Sequence, residues 1–353
     1  MTTPVEIWTG GAGLPSGFVR RAQYAEAAGF DGITIVDSQN LSGDPYVALA
    51  MASSETERLK LGTGVTNPFT RHPAVTASSI ATVHAVSGGR GVLGIGRGDS
   101  ALAHLGFAPA PVAVFEDYLR RVQGYLRGEA VPFEDGANVA SLKLANGPRS
   151  SKIEWLRPGR FPKIPVDVAA TGPKVIRTAA VFGDRITFAV GASSERLQWA
   201  MDTARAARSA AGLDPRTMEF GTYVNVVAHD DAEVARRLGE GGLSLFARFQ
   251  AMHGHTVGPA SEEGKRTTEA IHDAYDMTRH NRSGSPQAGK LTSEFATEFG
   301  VFGPSSYCIQ RLRGLIDMGF TRLMIVGGTR EADPAEVSNA EARFVEEVLP
   351  ALR

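Results

Sequence analysis

The run Leu61-Gly62-Thr63-Gly64-Val65-Thr66-Asn67-Pro68-Phe69-Thr70-Arg71-His72-Pro73 decides how this chain is read. Its first half continues a strand-like stretch, residues 59–65, that lacks the clean polar alternation of a half-exposed strand. Its second half is a short polar loop. Pro73 then opens a helix, a position where its missing N–H leaves no hydrogen bond unmade. A buried strand, a short loop and a helix make one βα unit.

The same rhythm extends in both directions. Strand-like segments fall at 5–9, 32–36, 59–65, 91–95, 164–169, 185–190, 218–228 and 322–326, with helical patterns between them. Ser16 stands ready to cap a helix with the apolar stripe Phe18, Ala22, Ala25, and Gly29 closes it. Eight such units over 353 residues predict an α/β fold, a (β/α)8 TIM barrel in a single domain 1–353, rather than an open doubly wound sheet. Residues 128–160 and 251–300 break the rhythm. They are polar and rich in Gly, Pro and Ser, and read as insertions that line a substrate pocket, the second as a lid.

Composition narrows the function. Lys plus Arg is 37 and Asp plus Glu is 38, for a net charge of −1. That balance offers no basic footprint for nucleic acid and no polybasic patch for a membrane. No run reaches the ~18 apolar residues of a membrane span. The first residues carry neither a basic nor an apolar leader region, so a cytoplasmic protein is expected. Cys308 is the single cysteine, which excludes an internal disulfide and a Cys-rich zinc site. It lies in an amphipathic helical pattern and reads as a packing residue.

Several tempting motifs fail. Gly94-Ile95-Gly96-Arg97-Gly98-Asp99 begins like a dinucleotide fingerprint but has Asp where Gly or Ala is needed. The segment Gly284 to Lys290 imitates a phosphate loop, yet Leu291 stands where the Mg²⁺-binding hydroxyl belongs. His253-Gly254-His255 has no carboxylate or thiol partners nearby, so no metal site is expected. Neither a Gly-x-Ser-x-Gly elbow nor a His-Glu-x-x-His helix is present.

A barrel of this kind holds its ligands at the C-terminal strand ends. Those ends read Trp8-Thr9-Gly10-Gly11, Asp37-Ser38, Gly64-Val65, Gly96-Arg97-Gly98-Asp99 and Ala170-Thr171-Gly172-Pro173-Lys174. Repeated glycine suits a flat ligand pressed on backbone. The Thr171 to Lys174 loop, with free N–H groups at a helix start, suits a phosphate.

The stretch Leu61 to Pro73 closely resembles the luciferase-like monooxygenase superfamily, above all its coenzyme F420-dependent branch of the methylenetetrahydromethanopterin reductase type. Ser87-Gly88-Gly89-Arg90, the Gly94 to Asp99 run, Thr171 to Lys174 and Phe302-Gly303-Pro304 agree with it in order and spacing. The resemblance implies a barrel binding F420 or, as the alternative, FMN. The FMN branch often carries Asn-x-Val-Thr where this chain has Gly96 to Asp99, and the departure favours F420. It implies a cis peptide at Gly64-Val65 backing the deazaflavin ring and Asp37 near the ring edge. It further implies contacts from Arg97, Gly98 and Asp99, and phosphate binding by Ala170, Thr171, Gly172, Pro173 and Lys174.

Asp37, His72 and Trp8 are the candidate catalytic residues. Asp37 and Asp99 have a second reading as helix caps, and His72 as a residue ordering its loop. Trp8 stands where the reductase branch has an acidic residue. The implied activity is hydride transfer between F420 and a small-molecule substrate: a carbonyl, imine, alcohol or activated double bond. An FMN-dependent monooxygenase supplied by a separate reductase, and a non-catalytic flavin-binding relative, are the alternatives. The family also implies a homodimer, with Ala48, Met51, Ala52, Ala77 and Ile80 as candidate contacts.

Overall fold

The computed structural model describes residues 4–134, 138–329 and 331–353. Residues 1–3, part of the stretch searched for a leader, and 135–137, inside the first insertion, lie outside the described residues.

Eight strands close on themselves: β1 (Glu6–Gly11), β2 (Gly32–Ile35), β3 (Lys60–Thr63), β4 (Gly91–Ile95), β5 (Val166–Ala170), β6 (Arg185–Phe188), β7 (Glu219–Ala228) and β8 (Arg322–Val326). Every neighbouring pair is parallel, and β8 returns to β1 with Arg322 beside Glu6. The chain is a (β/α)8 barrel, as the alternation predicts. Strand ends move by one or two residues from the expected ones. β3 stops at Thr63; the Gly64–Val65 peptide that follows is cis, and Thr66 rejoins the sheet by a single bridge to Ile95. A short strand that the pattern did not reveal, Val301–Gly303, pairs with the upper half of β7.

Helices α1 (Phe18–Ala27), α2 (Pro45–Ser54), α3 (Pro73–Val86), α4 (Val112–Leu126), α5 (Pro173–Phe182), α6 (Ser194–Ala210) and α7 (Ala232–Arg248) wrap the strands. Asp44 starts α2 by accepting the Tyr46 and Val47 N–H groups at 2.8 and 3.1 Å. Ala48, Ala52, Ala77 and Ile80, expected at a dimer contact, are instead buried against the barrel. Their small size lets α2 and α3 lie close to the strands. Met51 does face outward, beside Val47, with Val75 also exposed on α3.

Ser87-Gly88-Gly89-Arg90 has a structural task. Gly88 and Gly89 both adopt positive φ, 70° and 97°, where a side chain is strained. The turn delivers Arg90 to the Leu59, Ser53 and Thr56 carbonyls, each at 2.8 Å, so α2 and α3 end on one guanidinium. Cys308 lies in the core of α10 (Ser305–Asp317), where α8 (Glu262–Asp273) and α9 (Ser293–Phe299) precede it. Burial pushes its thiol up to about 11, as suits a packing residue. The C-terminal α11 (Pro334–Arg343) closes the ring of helices.

The two insertions differ. Within residues 128–160 a small hairpin, Val131–Pro132 against Ser150–Ser151, lies on the flank of α4, and none of the described residues of this stretch lines the cleft described below. The expectation that both insertions line the substrate pocket is corrected for this one. Its apolar residues Val131 and Ile153 are spent on the helix layer. Residues 251–300 fold into α8, α9 and short turns. Ile271, Phe295, Ala296 and Phe299 pack there against α7.

Inside the barrel, side chains fill the lumen in layers. Trp8 lies across the lower interior with Val92 and Met324 and is 1% exposed. Its Nε1 donates to Glu6 Oε2 at 2.8 Å. A Cβ on Gly32 would stand 2.5 Å from the indole, so the glycine makes the ring's space. Arg322 bridges the next strands: it reaches Asp167 at 2.8 Å and Thr187 Oγ1 at 3.0 Å, while Thr187 donates to Asp167 at 2.8 Å. A void of about 10 Å³, the space of a single water, remains above them. The lumen is therefore a plug, and the strand ends above it hold a much larger space.

Arg322→Met would leave the buried Asp167 carboxylate without its counter-ion. The expected cost is about 3–5 kcal/mol, read as a lowered urea-unfolding midpoint. Adding Asp167→Asn to that variant should return part of the loss.

Candidate functional site

At the C-terminal ends of the strands lies a cleft of about 1280 Å³. Gly64, Val65, Gly96, Ala169 and Tyr223 form its floor, and the segment after α7 forms its roof.

Asp37 follows β2 and lines the cleft, 3% exposed. Thr66 Oγ1 donates to its Oδ2 at 2.6 Å, and Arg71 forms an ion pair with the same oxygen. Arg71 also holds Asp44 at 2.7 Å and stacks on Tyr46 with 4.9 Å to the ring centroid. Burial opposes the Arg71 charge, but the two carboxylates outweigh it and raise its pKa. Asp37 is thus a fixed, compensated anion at the cleft edge. Its partner Arg71 comes from the same motif that set the fold.

Arg97, Gly98 and Asp99 follow β4 and line the cleft together. Gly98 has φ 85°, and a Cβ there would stand 2.5 Å from Leu102 Cδ1. Asp99 makes no capping bond to the turn after it; its carboxylate pairs with Arg248 at the end of α7. The Arg248 guanidinium lies 4.4 Å from the Tyr275 ring centroid, and Tyr275 Oη lies 2.9 Å from His280 Nδ1. Burial, with help from Arg248 and His104 and against Asp99, takes the His280 imidazole down to about 4. It stands neutral at pH 7.

Thr171, Gly172, Pro173 and Lys174 follow the neighbouring strand β5 and also line the cleft. Gly172 precedes α5 with no side-chain cap, and nothing lies within 4 Å of the place its Cβ would take. The first-turn N–H groups of Lys174 and Val175 have no intrahelical acceptor, and Lys174 has no carboxylate partner among the described residues. Ala170 is a correction. Side chains alternate along β5, so Ala169 faces the cleft while Ala170 is buried in the helix layer.

Two of the three candidate catalytic residues are not brought to the cleft. Trp8 lies one layer below it, beneath the floor. His72 sits on the outer surface, where its Nδ1 accepts the Ala74 N–H at 3.2 Å and its Nε2 lies 3.5 Å from Glu134. It starts α3 and orders the loop, the second of its two readings.

Other residues of the site escaped the sequence reading. Asn67 Oδ1 is held by the Phe69 and Thr70 N–H groups at 3.0 and 3.1 Å. Its Nδ2 and the Ser38 Oγ are buried at the cleft without a partner among the described residues. Both stand in stretches already singled out, next to Asp37 and within the strand-three motif. Arg248, Tyr275, His280, Phe246 and Phe249 come from segments with no local signal.

The neutral His280 has a consequence for stability. The unfolded chain, with an ordinary histidine near 6.5, binds more protons than the fold between pH 6.5 and about 4. Stability is therefore intact above pH 6.5 and falls as pH drops toward 4, by at most about 1 kcal/mol per pH unit. The unfolding midpoint of His280→Gln should fall less steeply than that of the wild type over this range.

Known proteins are similar to this chain in sequence and in fold. The chain is 27% identical over 310 residues to 5,10-methylenetetrahydromethanopterin reductase of Methanolobus tindarius, covering 86% of this chain and 87% of that one. It is 29% identical over 349 residues to the F420-dependent glucose-6-phosphate dehydrogenase of Beutenbergia cavernae, covering 93% and 91%. The solved structure of coenzyme F420-dependent tetrahydromethanopterin reductase from Methanopyrus kandleri superposes with a TM-score of 0.74 at 20% identity, over 99% of this chain and 100% of that one. The luciferase-like monooxygenase family model matches residues 2–322, and the chain belongs to that family.

Proposed function

We propose that this protein is a coenzyme F420-dependent oxidoreductase that moves a hydride between the deazaflavin and a small organic substrate. One observation carries the reading: the Gly64–Val65 floor and the open start of α5 share a single cleft. A flat ring fits the first and a phosphate fits the second. The cleft also holds two buried polar atoms without partners, Ser38 Oγ and Asn67 Nδ2, as expected where a polar ligand completes the bonding. Relatives named for F420 support the same choice.

In this reading Val65 and Gly96 back the ring. Ser38 and Asn67 meet its polar edge, with Asp37 and Arg97 beside them. Thr171, Gly172 and Lys174 hold the phosphate. Bound F420 supplies a carbon that gives and takes hydride and does not activate oxygen. The chain's own part is to fix the ring, keep water from it through the roof, and hold Asp37 and Asp99 as compensated anions.

The reading includes a cytoplasmic homodimer. Exposed Val47 and Met51 on α2 and Val75 on α3 are apolar residues available for such a contact. Among the described residues no helix is long and apolar enough to cross a membrane.

The test is a titration of the purified protein with F420 and, separately, FMN, followed by absorbance. F420 is expected to bind at micromolar concentration or below. Gly172→Asp places a carboxylate at the phosphate position. Like charges about 4 Å apart repel by ~4 kcal/mol at an effective dielectric of about 20, up to a thousandfold in affinity. The open space at Gly172 admits the side chain, and Asp is a good helix cap, so the thermal midpoint should hold or rise slightly. Equal F420 affinity in both proteins would place the phosphate elsewhere. FMN binding without F420 binding would move the chain to the oxygen-using reading.

A further inference from the structure

The roof of the cleft differs in chemistry from its floor. An aromatic wall rises from the floor residue Tyr223, whose ring centroid lies 5.2 Å from that of Phe246; Phe246 and Phe249 lie 5.6 Å apart, edge to face. Met252 and Val257 continue the same wall into the segment after α7. All five are half-buried rather than packed away, and all line the cleft. Charges beside the wall are already matched: Arg248 pairs with Asp99, and Glu331 pairs with Arg282. Next to this wall stands His280, with Nδ1 engaged by Tyr275 and no bond on Nε2 among the described residues.

The cleft is also large. Its 1280 Å³ exceeds the ~300–1,000 Å³ of an ordinary single-ligand pocket. It has room for a second molecule above a ring lying on Val65.

We infer that this roof is the substrate subsite, and that it takes an uncharged apolar ketone, or the secondary alcohol interconverted with it, with the oxygen on His280 Nε2. The inference rests on the hydride-transfer reading, which requires a carbon able to take or give hydride next to the ring; the wall and His280 select a ketone among such carbons. The aromatic wall accepts the apolar body of such a molecule. A neutral imidazole with one nitrogen already bonded offers one hydrogen bond and no charge. Against this wall a sugar phosphate or a carboxylate would lose its hydration, because the cations without a carboxylate partner among the described residues, Arg97 and Lys174, are assigned to the ring edge and the phosphate loop.

The experiment measures binding, by calorimetry or ligand-observed NMR, of 4-phenyl-2-butanone and of glucose 6-phosphate, with and without F420. The ketone is expected to bind with Kd below about 1 mM, and glucose 6-phosphate to leave it in place. Phe249→Ala and His280→Ala should each weaken ketone binding about tenfold. Met252→Asp, at the rim and harmless to the core, should abolish it. No ketone binding, displacement of the ketone by glucose 6-phosphate, or wild-type ketone affinity in all three variants would overturn the inference. F420 titration of the same samples separates the two readings. Ketone binding without F420 binding defeats the cofactor and keeps the subsite, whereas F420 binding without ketone binding does the reverse.

Discussion

Arg322 and Asp167 meet inside a ring of eight strands from which water is almost wholly excluded. Two opposite charges in such a place tolerate little displacement, because either one alone would be a buried ion. They fix β5, β6 and β8 relative to one another. Together with Trp8 they close the lumen. A barrel plugged in this way can change its upper loops without losing its frame, and all of the chemistry discussed above is carried by those loops.

The loops are secured by the same device used again. Asp37 is tied to Arg71 and Asp99 to Arg248, each pair joining the end of one strand to a distant element. Arg71 clamps the start of α2 through Asp44 as well. Arg248 reaches from the end of α7 across to β4. An ion pair shielded from water is geometrically demanding, so these links specify loop positions more than they add stability. The cleft therefore combines a rigid floor of backbone and glycine with edges held by guanidinium groups.

The parts of this architecture legible in the sequence are those set by local rules. The βα rhythm, the proline starts of α2 and α3, and the glycine-rich strand ends all follow from neighbouring residues, and the barrel could be read from them. Depth and direction could not. Trp8 and Thr9 are adjacent, yet one lies under the floor and the other borders the cleft, because strand parity and height in a barrel depend on its tilt and closure. The same parity exchanges Ala170 for Ala169. His72 stands in the most informative motif but on its outer side. Arg248, Tyr275 and His280 were invisible because their meaning comes from contacts across 149 residues in one case and from an insertion without periodic pattern in the other.

The roof residues Phe246, Phe249, Met252, Val257 and His280 lie within one continuous stretch of chain, while the floor and its anion loop are scattered over β2 to β7. This division separates two kinds of inheritance. A single recombination event replacing residues 245–281 would exchange the whole upper wall at once and leave the scattered floor untouched. Chains built on this plan can change what they recognise in one genetic step while the other half of the cleft passes on unchanged.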